Sequence, residues 1–389
     1  MSEVKVNSIK GVGASVAAIS INNADGTCTA NITNNLSNRN LIINGAMQVA
    51  QRGTSSSSWS GIGFPACDRQ KTLDSYGGTW TISQSTEAPS DNGFTKSTKY
   101  DCTTAVTSLN ANAYLQHYYR IEGQDLQGVC KGTSNAKPLI LSFWVKTNKT
   151  GTYNVEAIDQ DNSRLCTFAY TVANTNWNKY TVVFPADTTG TFNNDNGVSL
   201  DIGWWLVAGS TFNSGSNQNS FGTFVQANRA PSNVNLADST SNEWYITGIQ
   251  LEIDHTGSGI ATEFEHRSYA QELALCQRYY YLHASGQNQV IGVGVFYQGS
   301  NMFTFVKLPV TMRTGPSIDH TTGSNYYQAY YDGGNDGFIT FSGSWNVSPT
   351  QVGMNTHSGD GFTLGSGGGA AMVKTHSNSA AHLGFSAEL

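Results

Sequence analysis

The feature that most limits the fold of this chain is a succession of short apolar–polar alternations between Asn40 and Glu252. Apolar residues recur at every second position there, which is the period of a half-buried β-strand. Turn-forming pairs such as Asn92-Gly93 and Asn196-Gly197 separate the alternating stretches. About ten antiparallel strands in roughly 210 residues fit a two-sheet jelly roll. The predicted strands are 41–49, 79–83, 97–103, 113–121, 139–147, 152–158, 165–172, 179–184, 199–206 and 243–252.

The composition favours the same class. The chain has 389 residues with 41 Gly, 18 Tyr and 17 Phe, but only 12% of its residues are charged. Such a chain is poor in helix formers and rich in residues that favour strands and turns. We therefore predict an all-β protein, in which a jelly-roll sandwich is followed by a short linking helix and a second C-terminal β-sandwich-like domain.

Charge and hydropathy exclude several partners. The formal net charge of −6 gives no basic surface, which argues against a nucleic-acid partner. No apolar run reaches membrane-spanning length, and residues 1–10 lack the features of a secretory signal, so we predict no membrane partner and synthesis in the cytoplasm. The cysteines show no paired spacing typical of a metal site, and we expect isolated reduced thiols. They are Cys28, Cys67, Cys102, Cys130, Cys166 and Cys276.

One segment after the last predicted strand carries a helical pattern. Ser268 and Gln271 have the spacing of a capping box, and an apolar stripe with helical spacing follows. The stripe consists of Tyr269, Leu273, Cys276 and Tyr280. A lone amphipathic helix buries its stripe either on its own domain or against copies of itself on a symmetry axis. We assign these residues to an oligomer interface in a homotrimer, and the first alternative stays open.

These patterns divide the chain into four parts. Residues 1–40 contain alternations such as Val4, Val6 and Val16, but they are too few to enclose a core, and we predict a docking arm. Residues 41–263 form the predicted jelly roll and residues 264–284 the linking helix. Residues 285–389, with a strand predicted at 302–308 and a glycine run at 365–369, form a β-rich distal domain.

The sequence contains none of the common motifs for a catalytic nucleophile, a metalloprotease or a phosphate-binding loop. A glycosidase would need two carboxylates about 5–10 Å apart across a sugar. The candidates for such a pair are Glu156, Asp159, Asp161, Asp195 and Asp201. We expect most of them in turns or on solvated strand faces, and we predict no catalytic residue and no enzyme.

Residues 159–163 have the opening spacing of a calcium loop. An EF-hand would require Gly where Arg164 stands and Glu where Tyr170 stands, so we reject it. We assign no cofactor and no metal ligand. A structural calcium ion in the jelly roll stays open as an alternative, with Glu252 as one ligand.

Carbohydrate binding requires exposed aromatic faces beside amide or carboxylate groups. Adjacent Trp204 and Trp205 point to opposite sides of one predicted strand, and we predict Trp205 as an outward stacking platform unless a helix or a partner covers it. A second group in the distal domain is predicted to contact a receptor, the alternatives being a turn packed on its own domain or a trimer seam. It consists of Tyr326, Tyr327, Tyr330, Tyr331, Asp332, Asn335, Asp336 and Trp345.

Several longer segments carry a resemblance to a known family. They are NLIINGAMQVAQRG at 40–53, YRIEGQDLQ at 119–127, PLILSFWVKTNKTGTY at 138–153, WNKYTVVFPADTTGTFNNDNG at 177–197, LDIGWWLVAGS at 200–210, WYITGIQLE at 244–252 and FEHRSYAQELALCQRYY at 264–280. In this order they resemble a module of tailed-phage virion proteins, particularly tail-fibre or appendage proteins of marine podoviruses and cyanophages. The segment LPVTMR at 308–313 similarly resembles fibre C-terminal domains. The resemblance implies a jelly roll like that of carbohydrate-binding modules and a structural role.

Together these features predict a phage virion structural protein, a tail-fibre or appendage subunit that contributes to recognition of a host-surface glycan without catalysis. The alternatives are a polysaccharide depolymerase and a purely structural capsid or tail decoration subunit without a ligand. The predicted partners are other virion proteins through residues 1–40, copies of the chain itself, and host-surface polysaccharide. The predicted location is the virion, with release from the host by lysis.

Overall fold

The computed structural model describes residues 6–13, 17–21, 24, 28–30, 38–297, 301–362 and 369–389. Val4, Val16 and the glycines at 365–368, which entered the predictions, lie outside the described residues. The chain forms two compact units. The first contains Met1–Met47, Ser56–Gly63 and Lys71–Arg267, and the second contains Gln48–Ser55, Phe64–Gln70 and Ser268–Leu389. Two short segments of the stretch predicted as jelly roll therefore belong to the second unit.

The part of the predicted docking arm that is described contains three short strands. They are β1 (Ser8–Ile9), β2 (Ile19–Ile21) and β3 (Cys28–Ala30). They pair antiparallel in the order β1-β2-β3. Val6, Ile9 and Val12 are exposed. The role of this segment in docking stays a prediction.

Two antiparallel sheets build the body of the first unit. The six-stranded sheet has the order β13-β10-β16-β8-β7-β4, and the seven-stranded sheet has the order β15-β12-β11-β14-β9-β6-β5. The strands are β4 (Ser55–Trp59), β5 (Ile62–Gly63), β6 (Lys71–Ser75), β7 (Thr79–Ser85), β8 (Ser97–Thr104), β9 (Tyr114–Glu122), β10 (Leu139–Thr147), β11 (Gly151–Asp159), β12 (Arg164–Val172), β13 (Asn178–Phe184), β14 (Val198–Ala208), β15 (Gly222–Thr223) and β16 (Glu243–Ile253). The predicted all-β jelly-roll sandwich is confirmed.

Helical segments are short. The first unit contains one turn of α-helix, α1 (Ser210–Asn213), and the second unit contains α2 (Tyr269–Gln277). Single turns of 3₁₀ geometry lie at Ser90–Asn92, Gln226–Asn228, Leu236–Asp238 and Ser358–Asp360, with a longer 3₁₀ segment at Gly123–Val129. Over the described ranges, every helix is too short or too polar to cross a membrane.

Aromatic side chains from both sheets meet in the core of the first unit. Trp204 lies 5.6 Å from Phe143 of the opposite sheet and 5.4 Å from His117, measured between ring centroids. The hydroxyl of Tyr100 lies 3.1 Å from Nδ1 of His117 and 2.8 Å from the hydroxyl of Thr72. Burial lowers the pKa of His117 to about 3, so its ring is neutral near pH 7 and acts as a core residue.

The prediction of a strand at 41–49 is wrong. Asn44 and Met47 have positive φ angles of 59° and 57°, which interrupt an extended backbone. The segment instead forms backbone hydrogen bonds with the second half of β16. The N–H of Leu41 donates to the carbonyl of Leu251, and the N–H of Ile249 donates to the carbonyl of Gly45. A side chain at Gly45 would overlap the carbonyl oxygen of Ile249, so this close approach requires glycine.

A buried lysine organises one end of the first unit. Nζ of Lys131 lies 2.6 Å from Oδ2 of Asp159 and 3.0 Å from Oδ2 of Asp187. It also donates to the backbone carbonyl groups of Thr189 and Gly190, at 2.7 and 2.9 Å. The ammonium group thus occupies the centre of an oxygen cage formed by two carboxylates and two carbonyls.

The residues considered for calcium serve other contacts. Asp161 accepts a hydrogen bond from the side chain of Asn193 at 2.7 Å. Glu252 accepts from the backbone N–H of Thr262 at 2.8 Å and from its hydroxyl at 2.7 Å. Among the residues that the structure describes, no three His, Cys, Asp or Glu side chains are grouped to hold a metal ion. Of the cysteines whose side chains the structure describes, all five are free thiols, and Cys130 is exposed.

The second unit contains α2 and two further antiparallel sheets around one hydrophobic core. The three-stranded sheet has the order β17-β26-β20, and the seven-stranded sheet has the order β22-β21-β25-β18-β19-β24-β23. Their strands are β17 (Tyr280–Ser285), β18 (Val290–Tyr297), β19 (Asn301–Lys307), β20 (Ser317–His320), β21 (Tyr327–Tyr331), β22 (Gly334–Phe338), β23 (Gly343–Ser348), β24 (Gln351–Thr356), β25 (Ala370–Thr375) and β26 (His382–Ser386).

The predicted capping box at the start of α2 is present, with Ser268 and Gln271 as its two partners. The assignment of the apolar stripe to an oligomer interface is wrong for Cys276 and Tyr280, which are buried within their own unit. Tyr280 lies on β17, under the guanidinium of Arg52 at 3.5 Å from its ring centroid. Leu273 is half-buried and Tyr269 is exposed. The helix therefore packs mainly on its own domain.

Ion pairs in the second unit join residues that are far apart in the sequence. Glu388 pairs with Arg52 at 3.1 Å and with Arg69 at 2.7 Å. The guanidinium of Arg69 also lies 3.5 Å from the ring centroid of Tyr279. These contacts hold the segments before and after Ser56–Gly63 against Tyr279 and against the residues that follow β26.

Replacing Lys131 with Met is expected to destabilise the first unit strongly. The substitution removes the cation from the cage and leaves the fully buried Asp159 carboxylate without a charged partner, which costs roughly 3–5 kcal/mol. The free energy of unfolding in urea measures the loss. Lys179→Met on β13 is the matched control, because Lys179 is exposed, and its effect should stay within about 0.5 kcal/mol. Equal effects of the two substitutions would contradict the structural role of the cage.

The carboxyl group of Asp74 is expected to make stability depend on pH. Burial raises its pKa to about 7, although the backbone N–H of Gly77 donates to it. The folded chain therefore keeps a proton that the unfolded chain loses, and the free energy of unfolding falls as pH rises from about 4 to about 7. The stability advantage of Asp74→Asn over the wild-type chain should grow by roughly 2–4 kcal/mol over that range. A difference that stays constant with pH in denaturant titrations would refute this assignment.

Candidate functional site

The outer face of the seven-stranded sheet in the first unit carries polar side chains. Register places Gly203 of β14 beside Tyr118 of β9 and beside Glu156 of β11. A side chain at Gly203 would meet Gln116 at 2.9 Å and the Tyr118 ring at 3.0 Å. Because residue 203 is glycine, the side chains of Gln116 and Tyr118 have space to lie across the sheet.

A long segment between β14 and β16 covers part of this face. Arg229, which follows the 3₁₀ turn Gln226–Asn228, reaches down to Glu156 and forms two hydrogen bonds, at 2.9 Å from Nε and 2.6 Å from Nη2. Glu156 is fully buried. The guanidinium also lies 4.8 Å from the ring of Trp205 and 5.6 Å from that of Phe224. The pair therefore anchors the covering segment to the sheet.

A cavity of about 470 Å³ lies between the sheet and this segment. It is lined by Leu73, Tyr114, Gln116, Tyr118, Ile158, Gln160, Ser163, Phe212, Phe224, Gln226 and Arg229. Gln160, Ser163 and Gln226 are exposed, whereas Gln116 and Tyr118 are buried. The cavity thus has an exposed polar rim and a floor of buried side chains. Its size is that of a small-molecule site.

Two buried carboxylates accept hydrogen bonds from side chains that line the cavity. Glu156 accepts from the side-chain amide of Gln116 at 2.6 Å. Asp201 accepts from the Tyr118 hydroxyl at 2.7 Å and from the Gln160 amide at 2.5 Å. Burial raises the pKa of Asp201, and it raises the pKa of Tyr118 well above its ordinary value. Neither carboxylate is among the residues that line the cavity.

Charges around the cavity are balanced. Arg229 neutralises Glu156, and Nε of Arg120 lies 3.4 Å from Oδ1 of Asp201. An anionic or cationic ligand would therefore meet no excess of opposite charge in the wall. The ligand groups that this wall can contact are ring faces, hydroxyls and neutral amides.

The structure corrects the prediction for Trp205. Both Trp204 and Trp205 are fully buried, so neither is an outward platform. Trp204 faces the core between the sheets, and Trp205 faces the other side but is covered by Phe212, at 5.1 Å between ring centroids, and by Arg229. Phe212 lies on α1, so the alternative in which a helix covers this ring is the one that the structure shows.

The acidic candidates do not form one group. Asp159 contacts Lys131, Asp161 contacts Asn193, and Asp195 accepts the backbone N–H of Gly197 within its turn. The expectation that most acids lie in turns or on solvated faces is wrong for Glu156, Asp159 and Asp201, because all three are fully buried.

The predicted receptor residues of the second unit are separated. Tyr327 is buried in the core, and Tyr326 and Tyr331 pack against it. Tyr330 and Trp345 are exposed but lie on β21 and β23, at opposite sides of the seven-stranded sheet. Asp332 and Asn335 are exposed and Asp336 is half-buried. Contact of these residues with a receptor stays a prediction.

Sequence reasoning missed most of the cavity. None of the predicted site residues lines it, and the lining residues that the prediction lacks include Tyr114, Gln116, Tyr118, Gln160, Phe224 and Arg229. The alternation of Gln116, Tyr118 and Arg120 on one face of β9 is a local signal for an outward polar row. No local signal connects Arg229 with Glu156, because 72 residues lie between them in the sequence.

No protein-family model matches the sequence, and no curated protein matches it. Among solved structures, the chain is similar to the enzymatically active domain of tailspike protein 4 of bacteriophage CBA120, at 13% identity and a TM-score of 0.29. That match covers 55% of this chain and 21% of the tailspike chain, so this chain corresponds to about a fifth of its length.

The chain is also similar to a CBM4 structure, at 9% identity and a TM-score of 0.28, with 54% of this chain and 98% of that chain covered. A third similar structure is the N-terminal CBM22-1–CBM22-2 tandem domain of Paenibacillus barcinonensis Xyn10C, at 8% identity and a TM-score of 0.27, with 90% and 97% covered. At these identities the likenesses concern the fold alone, and no family membership follows from them.

Proposed function

We propose that the first unit binds a neutral carbohydrate in the cavity on its seven-stranded sheet, as the recognition part of a tailed-phage virion appendage such as a tail fibre. The observation that carries this proposal is the lining of the cavity. Rings of Tyr114, Phe212 and Phe224 stand beside the amides of Gln160 and Gln226. Ring faces bind the C–H faces of sugars, and amides pair with their hydroxyls.

The fixed orientation of the polar groups supports a specific ligand. The amides of Gln116 and Gln160 donate to buried carboxylates, so each presents its carbonyl oxygen as an acceptor for a sugar hydroxyl. The Tyr118 hydroxyl is held by Asp201 in the same way. Because these groups are ordered before binding, little conformational entropy is lost when a ligand arrives.

Charge balance supports a neutral sugar over an acidic one. A site for a uronate or a sialylated chain would present an unpaired basic group. Arg229, which lines this cavity, already donates twice to Glu156. We therefore assign hexose or pentose units without carboxylates as the ligand class.

The state of the two acids supports binding without catalysis. Glycosidases need one carboxyl that donates a proton and a second that attacks or activates water, both facing the scissile bond. Glu156 and Asp201 lie below the lining and are occupied by Arg229, Gln116, Tyr118 and Gln160. These existing hydrogen bonds support a structural role of both acids in the proposed binding site.

The virion role is supported by the ordered set of segments from Asn40 to Tyr280 that resembles tailed-phage appendage proteins. In this role the docking arm at 1–40 would join other virion proteins, and repeated copies would let weak sugar contacts act together. The chain would act as an adsorption protein that stays intact and leaves the host surface intact.

Replacing Phe224 with Ala is expected to weaken binding of a neutral oligosaccharide about tenfold, which corresponds to roughly 1.4 kcal/mol, because one stacking face is lost. A panel of neutral oligosaccharides on an array identifies a ligand, and titration calorimetry then gives the affinities. Val225→Ala is the matched control, since Val225 is its exposed neighbour and is not part of the lining. Binding that both substitutions weaken equally, or a panel without any bound member, would count against the proposed site.

Incubation with a polysaccharide that the chain binds is expected to leave its chain length unchanged. Size-exclusion chromatography and an assay for reducing ends measure this directly. A fall in polymer size that Glu156→Gln or Asp201→Asn abolishes would instead establish the depolymerase alternative. An absence of binding to any glycan, together with assembly on virion proteins, would support the purely structural alternative.

A further inference from the structure

The seven-stranded sheet of the second unit covers the core with only one of its faces. On β18, Ile291 and Phe296 point into the core, whereas Val293, Val295 and Tyr297 point outward and are exposed. A strand whose outward positions are also apolar is unusual for a sheet with one solvated face, where polar residues are expected. Both the inward and the outward positions of β18 are therefore apolar.

Apolar side chains continue across the neighbouring strands. Tyr330 of β21 pairs with Met372 of β25, and Met372 pairs with Val293 of β18. On the far side, Trp345 of β23 pairs with Gly353 of β24. The missing side chain of Gly353 leaves room for the ring of Phe305, which would lie 3.2 Å from a Cβ there. We call this surface the outward apolar face; it consists of Val293, Val295, Tyr297, Phe303, Phe305, Tyr330, Trp345 and Met372.

The exposed area of this face is large for a single chain. Apart from the half-buried Phe303, its side chains are between 39% and 61% exposed. With about 200 Å² for a fully exposed aromatic side chain, the four exposed rings alone leave roughly 400 Å² in water. The three aliphatic side chains bring the total to roughly 700 Å², above the 300–600 Å² typical of the largest patch on a monomer. It approaches the ~800 Å² that each partner contributes to a standard interface.

The charged residues on and around the outward apolar face indicate what kind of partner can cover it. Within the described strands of this sheet the only acidic residue is Asp336, which pairs with Ala329 on the core side. The outward charged residues are Lys307 and Lys374, at strand ends, and Nζ of Lys374 lies 4.5 Å from the Tyr330 ring. Both lysines lie at the margin, so the centre of the face carries no charge. Such a centre offers no charge pattern for a charged partner, but it matches the apolar centre of an identical face.

We propose that a second copy of this chain covers the outward apolar face with the same face of its own. Two twisted sheets pack face to face about 10 Å apart, as in a sandwich, and an isologous pair presents the same patch from both partners. Tyr330 and Trp345, which the sequence suggested as receptor contacts, become interface residues in this arrangement. The proposal is independent of the cavity, because no cavity residue lies on this sheet.

The test is the mass of the full-length chain in solution, measured by sedimentation velocity and light scattering up to about 0.1 mM. The wild-type chain should exceed the mass of one chain and dissociate on dilution. Val293→Lys and Phe305→Lys each place a charge near the centre of the face, and each should weaken association roughly tenfold or more. Ile62→Lys is the matched control, since Ile62 is an equally exposed apolar residue of the first unit, and it should associate like the wild type.

Thermal unfolding confirms that both face variants are folded, which is expected because the replaced side chains are more than half exposed. A wild-type chain that has the mass of one chain at every concentration overturns the proposal. Association that Val293→Lys and Phe305→Lys leave unchanged overturns it as well. A single-chain wild type that binds insoluble polysaccharide, and loses this binding in Phe305→Lys, overturns it in favour of a glycan platform.

Discussion

The candidate site depends on one buried ion pair, between Arg229 and Glu156. Taking two charges out of water costs several kcal/mol, and only good geometry with further hydrogen bonds offsets that cost. Here the guanidinium donates twice to the carboxylate, and Gln116 donates to it as well. The pair joins a surface segment to the middle of a sheet. The burial of Trp205 and the cavity itself both follow from the position of that segment.

The two faces of the seven-stranded sheet in the first unit use different physical interactions. The inner face packs rings such as Trp204 and a neutral His117 against the opposite sheet, and burial keeps this histidine uncharged. The outer face instead holds polar side chains by paired charges and hydrogen bonds, with Tyr118 on Asp201 as an example. A rigid apolar core on one side therefore supports an ordered polar surface on the other, which is what selective binding of a small polar ligand requires.

Contacts between residues far apart in the sequence complete both units. In the first unit, residues 40–45 take the place of a neighbouring strand beside Ile249 and Leu251, beyond the point where β8 stops pairing with β16. In the second unit, Glu388 joins Arg52 and Arg69 from the first fifth of the chain. Such contacts close long loops, so both units are expected to fold more slowly than a protein rich in local contacts.

Local periodicity in the sequence was enough to predict the all-β class, the jelly roll, most of its strands and the capping box of α2, because strands and caps are set by neighbouring residues. The same periodicity could not decide which face of a strand another part of the chain covers. Trp205 and Glu156 are covered by a segment that only the tertiary structure brings to them, and Cys276 and Tyr280 are buried within their own unit for the same reason. The site could be predicted only as far as an outward polar row; the cavity exists because Arg229 and Glu156, distant in sequence, meet in the fold.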